Sequence, residues 1–345
     1  MAAIDAHRVE KHFGRTRAVD DASLEVGEGE LVALLGPSGS GKTTLLRVIA
    51  GFETPDAGRV EIGGRHVAGE GVWVEPEHRR IGMVFQDGAL FPHLTVQGNV
   101  AFGATSSERA ADCLALVGLA DRAKAYPHEL SGGERQRIAL ARALAADPDV
   151  VLLDEPFASL DASLRDALRL QVRSILKEAG TSALLVTHDQ AEALSLADTV
   201  AVMREGRIEQ VGTPEEVYER PTSRWLAEFL GEADILPGTA RGGVVECELG
   251  RFGAPAELTG EVDVLLRPES VAIGLGPAPG SHAEAVVVSR SFYGHDQLVD
   301  LELASGLRVR SRRLGFPAWH PGDRVRVWID GPVSALARAV ERTGS

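Results

Sequence analysis

A glycine-rich run, GPSGSGKTT, holds the residues whose types and spacing best fit a chemical task. It satisfies the pattern G-x-x-x-x-G-K-[ST] through Gly36, Gly41, Lys42 and Thr43, and it lies between the apolar stretch LVALL and the helical pattern LLRVIAG. Glycines at this spacing let successive backbone N–H groups converge on phosphate oxygens, and the following helix adds partial positive charge. Lys42 would neutralise the outer phosphates, and Thr43 would offer a hydroxyl to Mg²⁺. The run therefore predicts a phosphate-binding loop.

A complete motif, with a strand before it and a helix after it, distinguishes this run from a glycine-rich turn that has no function. Loops of this kind belong to the P-loop NTPases, which bind the phosphates of nucleoside triphosphates. We therefore expect the whole run to contact ATP: Gly36, Pro37, Ser38, Gly39, Ser40, Gly41, Lys42, Thr43 and Thr44.

A pair of acidic residues, Asp154 and Glu155, ends the apolar run VVLLDE. Two carboxylates at a strand end are often only part of a solvated turn, but a phosphate-binding loop upstream favours a catalytic role. Neighbouring side chains of a strand point to opposite faces, so the two residues can do different work. Asp154 would hold Mg²⁺ through its water shell. Glu155 would orient or deprotonate the water that attacks the γ-phosphate.

The segment LSGGERQRIALARAL combines a helix start with two glycines. Ser131 and Glu134 have the spacing of a capping box, so the segment could simply begin a helix. Gly132 and Gly133 weaken the first turn and leave its N–H groups unshielded, a cost that makes sense if a phosphate approaches them from outside. We expect these four residues to bind a phosphate as well as to start the helix.

The motifs follow apolar runs that must form the strands of one sheet. Three runs are apolar throughout and are predicted to be central parallel strands: Leu31–Leu35, Val150–Asp154 and Ala183–Thr187. Lys42, Glu155 and His188 follow these runs, at the strand ends where open α/β sheets bind ligands. A helix over residues 161–177 should cover the sheet with an apolar stripe of Leu164, Leu168, Val172, Ile175 and Leu176.

The composition changes after Phe229, where GEADILPGTARGGV introduces glycines and short alternating strands follow. The predicted fold is therefore a mixed α/β nucleotide-binding domain over residues 1–230, followed by a small all-β, oligomer-binding-like domain over residues 231–345. His282, His295 and His320 lie in this tail without the spacing of metal ligands, so we predict no metal site there.

Composition and charge narrow the choice of partners. The formal net charge is −14, from 50 acidic and 36 basic residues, which argues against a nucleic-acid partner. Cys113 and Cys247 lack metal-like spacing and suit a reducing compartment. The N-terminus has no signal-like apolar run, and no stretch of about 18 apolar residues occurs. We expect a cytosolic chain whose membrane role would come through a separate partner.

The signature LSGGE, together with the phosphate loop and the acidic pair, resembles the motifs of the ABC ATPases. The resemblance covers about residues 4–230. Glu134 stands where glutamine is commoner, a variant that the family accepts. The resemblance implies that Gln86, in VFQDG, senses Mg²⁺ and the membrane partner, and that His188 is the γ-phosphate switch. Glu155, His188 and Gln86 would then be the catalytic residues.

The same resemblance implies further contacts. Mg²⁺ would be held by Thr43, Gln86 and Asp154. The loop from Ser159 to Asp161 would cross to a second subunit, and Phe13, in VEKHFG, would stack on adenine. A place in the hydrophobic core is the alternative for Phe13.

ABC ATPases work as pairs, in which the phosphate loop of one subunit and the signature of the other enclose each ATP. The resemblance therefore implies a homodimer with two ATP sites and with ATP and Mg²⁺ as its cofactors. It also implies a peripheral location at the cytoplasmic face of the cell membrane.

Two segments are similar to those of import ATPases. DGALFPHLTVQGNVAFG resembles the segment that forms a groove for a coupling helix of the transmembrane subunit. LLRPES in the tail resembles a recurrent sequence motif of their regulatory (TOBE-like) domain. The implied partners are two transmembrane permease subunits and, indirectly, an extracytoplasmic solute-binding protein, with no nucleic acid. DGALFPHLTV, YPHELSGGE and GEADILPG look most like ferric-iron importers. Importers of sugars, polyamines, sulfate and thiamine share much of the pattern.

Two other classes of ABC ATPase fit less well. DNA-repair and chromosome-maintenance ATPases insert coiled coils or zinc modules between loop and signature, whereas the segment from Thr44 to Leu130 has no heptads and no CxxC pair. Translation-factor ATPases carry two cassettes, and this chain has one phosphate loop.

Overall fold

The computed structural model describes residues 2–86, 88–158, 162–275 and 282–338, with residues 162–164 described by their backbone alone. Its contacts divide the chain into two compact units, residues 1–214 and residues 215–345. Each unit has a core of its own.

The N-terminal unit alternates strands and helices. Its strands are β1 (Ala2–Phe13), β2 (Thr16–Gly27), β3 (Leu31–Leu35), β4 (Ala57–Ile62), β5 (Arg65–Gly69), β6 (Val72–Trp73), β7 (Ile81–Val84), β8 (Val150–Asp154), β9 (Ser182–Thr187), β10 (Thr199–Arg204) and β11 (Arg207–Gly212). Its α-helices are α1 (Lys42–Ala50), α2 (Val96–Ala101), α3 (Ser107–Leu116), α4 (Gly132–Ala145), α5 (Ala162–Ala179) and α6 (Gln190–Leu196). Short 3₁₀ turns cover Pro76–His78, Ala120–Arg122 and Pro127–Glu129.

The central sheet has the strand order β11, β10, β3, β9, β8, β7. The pairs from β10 to β7 are all parallel, and β11 is added antiparallel at one edge. β3, β8 and β9 lie inside the sheet and are buried along almost their whole length. The prediction of three central strands is confirmed, because continuous apolar sequence suits a strand that is covered on both faces.

A second, antiparallel sheet completes the N-terminal core. Its order is β2, β1, β4, β5, β6. Fully buried side chains of this sheet, such as Ile4 and Val26, share one cluster with Leu34 of β3, Leu152 of β8 and Leu45 of α1. The helix after β3 is therefore fixed between two sheets, which holds the preceding loop in place.

The predicted covering helix is present as α5. Its apolar residues Leu168, Val172, Ile175 and Leu176 are buried, as the helical spacing predicts. The side chain of Leu164 lies outside the described residues. The helix ends before Gly180, whose φ of +62° is the left-handed conformation common after a helix.

The C-terminal unit is mostly antiparallel β-structure. Its helices are α7 (Pro214–Glu219), whose first residue still belongs to the N-terminal unit, and α8 (Arg224–Leu230). Its strands are β12 (Asp234–Arg241), β13 (Val244–Cys247), β14 (Gly250–Gly253), β15 (Gly260–Leu266), β16 (Val271–Gly274), β17 (Ala283–Phe292), β18 (Asp296–Leu303), β19 (Arg308–Leu314), β20 (Arg324–Ile329) and β21 (Val333–Ala337), with a 3₁₀ turn at Pro268–Ser270. They form two five-stranded sheets, β14-β13-β12-β15-β21 and β16-β20-β17-β18-β19, around one apolar core. The all-β tail is confirmed.

The boundary of this unit lies before the composition change at residue 230. Arg267 explains why, because its buried guanidinium donates to the carbonyl oxygens of Ala227 (2.8 Å), Glu232 (3.1 Å) and Tyr218 (3.1 Å). These bonds join the last helices to the β-sheets, a link that composition does not reveal. Within the described residues, no helix has both the length and the apolar sequence needed to cross a membrane.

Candidate functional site

The loop between β3 and α1 has the tight backbone that its glycines predict. A Cβ atom on Gly36 would lie 2.2 Å from the carbonyl oxygen of Met203. Gly41 has a φ of +105°, and a Cβ there would lie 2.1 Å from the carbonyl oxygen of Ala18. Only glycine fits these two positions, so their role is to bring the backbone of the loop close to its neighbours.

Lys42 begins α1, and its side chain folds back over the loop. Its Nζ donates to the carbonyl oxygens of Gly36 (2.7 Å) and Pro37 (2.9 Å). Only 4% of the residue is exposed. Burial lowers the pKa of Lys42, while the carboxylates of Glu155 and Asp154 oppose this shift. The ammonium is thus held in one orientation within electrostatic reach of the acidic pair.

The rest of the loop divides into buried and accessible residues. Ser40 is buried, and its carbonyl oxygen accepts from Gly206 N at 2.9 Å. Ser38, Gly39 and Thr43 are exposed. Pro37 and Thr44 are half-buried.

The acidic pair ends β8 and continues into a sharp turn. Burial raises the pKa of Asp154, with a further rise from Glu155 and opposition from Arg47 and Lys42. Glu155 has a φ of +43°, which is uncommon for a residue with a side chain, and its N–H donates to Val186 O at 2.9 Å. Strand alternation predicted that the two carboxylates point to opposite faces. The left-handed turn at Glu155 sets its direction instead, because the strand stops at Asp154.

His188 lies beside Glu155. It follows β9, the strand next to β8, and its Nδ1 is 3.2 Å from Oε2 of Glu155. The His188 side chain is 53% exposed and that of Glu155 is 24% exposed. Parallel neighbours end at the same edge of a sheet, so Lys42, Glu155 and His188 all follow the carboxyl ends of adjacent strands. The exposed Gln86 follows β7, which pairs with β8 on its other side.

We call residues 187–189, between β9 and α6, the His188 turn. Thr187 and Asp189 of this turn, Glu192 of α6 and Arg169 of α5 were not among the predicted site residues. Arg169, on α5, is 6% exposed and its Nη2 donates to Asp189 Oδ2 (2.9 Å) and Glu192 Oε1 (3.1 Å). Part of this arrangement has a local signal, because Asp189 and Glu192 have the spacing of an N-terminal helix cap. The contact with Arg169 spans 20 residues of sequence and has no such signal.

The signature forms a capped helix start, as its spacing predicts. Ser131 is the N-cap of α4, and its hydroxyl accepts from Glu134 N at 3.3 Å. Glu134 Oε2 accepts from both the N–H and the hydroxyl of Ser131 at 2.8 Å. The backbone N–H of Ser131, more than its hydroxyl, lowers the pKa of Glu134. Gly132 and Gly133 form the first turn that this cap holds in place.

Phe13 is not a core residue. It ends β1 with 49% of its surface exposed, and Nζ of Lys11 lies 5.4 Å from the ring centroid. An exposed ring at this position is able to stack on a ligand. The predicted dimer loop, Ser159 to Asp161, lies outside the described residues.

Comparison with known proteins identifies the family. Residues 19–158 match the ABC transporter family, and residues 264–333 match the TOBE domain. The Fe(3+) ions import ATP-binding protein FbpC of Serratia marcescens is 42% identical, over 98% of this chain and 100% of its own length. This chain belongs to the ABC transporter family. The FbpC protein of Pseudomonas fluorescens strain Pf-5 is 45% identical, over 91% of this chain and 97% of its own length.

Solved structures agree with this ABC assignment. A post-hydrolysis dimer of the ATP-binding cassette MJ0796, bound to ADP and Pi, matches 61% of this chain and 98% of its own with a TM-score of 0.52 and 31% identity. A nucleotide-free ATP-binding cassette from an ABC transporter matches 67% of this chain and 100% of its own with a TM-score of 0.59 and 26% identity. This ABC protein is therefore an ATP-binding ATPase subunit of a membrane transporter, a role that implies a dimer and permease partners.

Proposed function

We propose that this chain powers an importer of ferric iron. In this proposal it works as a homodimer at the cytoplasmic face of the cell membrane, bound to two permease subunits that receive iron from an extracytoplasmic binding protein. The main support for the ATPase chemistry is the contact between His188 and Glu155 at the strand ends beside the phosphate loop. The similarity to FbpC proteins across both domains supports the cargo.

The chain's own residues supply most of the chemistry. The loop N–H groups and the Lys42 ammonium bind the phosphates and neutralise their charge. Glu155 orients the attacking water and accepts its proton, since its carboxylate is partly buried and fixed by a strained backbone. The imidazole of His188 is held against that carboxylate and senses the γ-phosphate. The positions of these groups, rather than covalent chemistry, would account for most of the catalysis.

Mg²⁺ fits the donor set at this edge of the sheet. Thr43 offers a hydroxyl oxygen, Asp154 a carboxylate and Gln86 an amide oxygen, which are the hard oxygen ligands that Mg²⁺ prefers. Among the described residues, no cluster of three or more His, Cys, Asp or Glu side chains could hold a metal alone. Mg²⁺ is commonly bound by one or two carboxylates together with phosphate oxygens of its substrate. The bound ion would neutralise charge on those oxygens.

The dimer contacts follow from the signature. In the proposed homodimer, Ser131, Gly132, Gly133 and Glu134 bind the ATP held by the phosphate loop of the second subunit. The capped, glycine-containing first turn of α4 supports this role, because it presents backbone N–H groups at a helix N-terminus. Phe13 stacks on adenine, and Asp161 contributes to the subunit contact.

The segment after Gln86 is proposed to receive a coupling helix of the permease. The ring centroids of Phe91 and Phe102 are 4.5 Å apart, and the guanidinium of Arg142 lies 5.4 Å from the Phe91 ring. Fully buried Asn99 accepts from Phe91 N at 2.7 Å and donates to Leu94 O at 3.2 Å. The turn is therefore fixed from inside, while Phe102 stays 68% exposed. A fixed turn with an exposed aromatic ring suits protein docking.

Replacing Phe102 with aspartate should uncouple hydrolysis from transport. The change puts a charge into the proposed apolar contact, at a cost to docking of several kcal/mol. We expect the isolated subunit to keep its basal hydrolysis, but stimulation by permease and loaded binding protein in vesicles should fall about tenfold or more. Phe316→Asp, at a position that is 88% exposed in the C-terminal unit, is the matched control and should keep full stimulation. If Phe102→Asp is stimulated as fully as this control, Phe102 is not part of the docking surface.

Cells that lack this subunit should lose ATP-dependent uptake of ferric iron. Uptake of labelled Fe³⁺ is compared with uptake of a polyamine, a sugar, sulfate and thiamine in the same cells. Wild-type protein should restore iron uptake, and a variant that cannot hydrolyse ATP should not. Persistent iron uptake with loss of another solute would overturn the cargo but keep the importer. Unchanged uptake of every solute would overturn the importer as well.

A further inference from the structure

A mostly buried ion cluster, in which only Asp189 is partly exposed, lies at the His188 turn. It consists of Arg169, Asp189, Glu192 and Thr187, and we call it the Arg169 cluster. Arg169, Glu192 and Thr187 are 6%, 3% and 1% exposed. Nη2 of Arg169 donates to Asp189 Oδ2 at 2.9 Å and to Glu192 Oε1 at 3.1 Å, and Nη1 donates to Asp166 at 3.0 Å. One guanidinium on α5 thus binds two carboxylates of the turn and helix that follow β9.

The cluster closes around the backbone of the turn. Glu192 Oε2 accepts from the hydroxyl of Thr187 at 2.5 Å, and the same hydroxyl accepts from Asp189 N at 3.0 Å. Asp189 Oδ1 accepts from Glu192 N at 3.1 Å, which caps α6. Residues on both sides of His188 are therefore held by one network. His188 itself extends outward, with its imidazole on Glu155.

Stability alone does not explain why charged side chains occupy this buried position. A buried ion pair loses hydration that its mutual attraction only partly replaces, and apolar residues of similar volume often stabilise a protein as well or better. The cluster instead fixes the position of the His188 turn. Glu192 can accept from Arg169 and Thr187 together in few arrangements of the turn, so the bonds define where the His188 backbone lies.

We propose that Arg169 is a positioning residue for ATP hydrolysis. Through Asp189 and Glu192 it holds the His188 turn in the geometry that places the imidazole against Glu155. Arg169 does not contact the nucleotide in this proposal. The inference rests on the proposed catalytic roles of His188 and Glu155, and it adds a residue of a different helix to that site.

The test compares four full-length variants: Arg169→Met, His188→Ala, the double variant and Arg173→Met. ATP affinity and the rate of hydrolysis are measured for each. Arg169→Met should lower kcat about 10- to 100-fold, the scale of a displaced catalytic group, and should leave the Kd for ATP within about twofold. Arg173, on the same helix, bonds to Asp198 at 3.0 Å and is the matched control with unchanged kcat.

The double variant separates positioning from general stability. If Arg169 acts through His188, Arg169→Met should cause little further loss of kcat in the His188→Ala background. A full, multiplicative loss there, or a large rise in the Kd for ATP, would overturn the proposal. An unchanged kcat in the single variant His188→Ala would instead overturn the proposed role of His188. The failure of that role is thus distinguishable from the failure of the role proposed for Arg169.

A second variant, Glu192→Gln, tests the same proposal if Arg169→Met does not fold. Glu192→Gln keeps the size of the side chain and removes one charge that Arg169 binds. It should lower kcat with an unchanged Kd for ATP, and its effect should also disappear in the His188→Ala background. A Glu192→Gln protein that folds and hydrolyses ATP at the wild-type rate would contradict the proposal.

Discussion

Lys42→Ala should abolish tight ATP binding. Only 4% of Lys42 is exposed, and its ammonium is oriented by two carbonyl oxygens of its own loop, so binding ATP does not require the side chain to be ordered first. Truncating one partner of a buried, hydrogen-bonded charge pair costs about 2–5 kcal/mol. That range corresponds to a rise in the Kd for ATP of roughly 30- to 5,000-fold. Nucleotide titration by calorimetry measures it directly.

Loss of affinity must be separated from loss of fold. Alanine leaves the carbonyl oxygens of Gly36 and Pro37 without the Lys42 donor, so the thermal midpoint of the variant is measured beside its affinity. Lys177→Ala is the control, because this lysine pairs with Asp198 at 2.8 Å and is 46% exposed. It should bind ATP like the wild type. A folded Lys42→Ala protein with wild-type affinity would show that the phosphate-loop assignment is wrong.

Local patterns predicted a large part of the fold. β3, β8 and β9 were visible as continuous apolar runs because burial on both faces removes alternation. The capping box of Ser131 and Glu134 was visible because its bonds span three residues. In both cases the interaction that fixes the structure acts within a few positions of the chain.

Contacts between distant parts of the chain were not predicted. The left-handed backbone of Glu155 depends on a bond to Val186 of the neighbouring strand. Arg169 lies on α5, and apart from Asp166, three positions earlier, its partners lie 20 and 23 positions away. The start of the C-terminal unit depends on bonds of Arg267 to α8 and to the residues before it. A single sequence gives no sign of such partners.

The role proposed for Glu155 has the clearest consequence for the catalytic cycle. Glu155→Gln keeps the size of the side chain and its backbone bond to Val186, but it removes the base and one negative charge. ATP binding should persist, since less negative charge faces the phosphates. Hydrolysis should fall by at least about 10²-fold, the scale of a lost general base. The matching rise of the activation barrier is about 2.7 kcal/mol.

Binding without turnover should also trap the proposed dimer. We expect Glu155→Gln to elute from gel filtration as a dimer when ATP and Mg²⁺ are present, and as a monomer without them, because in the proposed cycle bound ATP holds the dimer together until it is hydrolysed. Glu209→Gln, the same substitution at an exposed position on β11, should hydrolyse ATP at the wild-type rate and should not accumulate the dimer. A Glu155→Gln protein that stays monomeric with ATP and fully active would show that Glu155 is not the base. Another group beside the phosphate loop would then have to accept the proton of the attacking water.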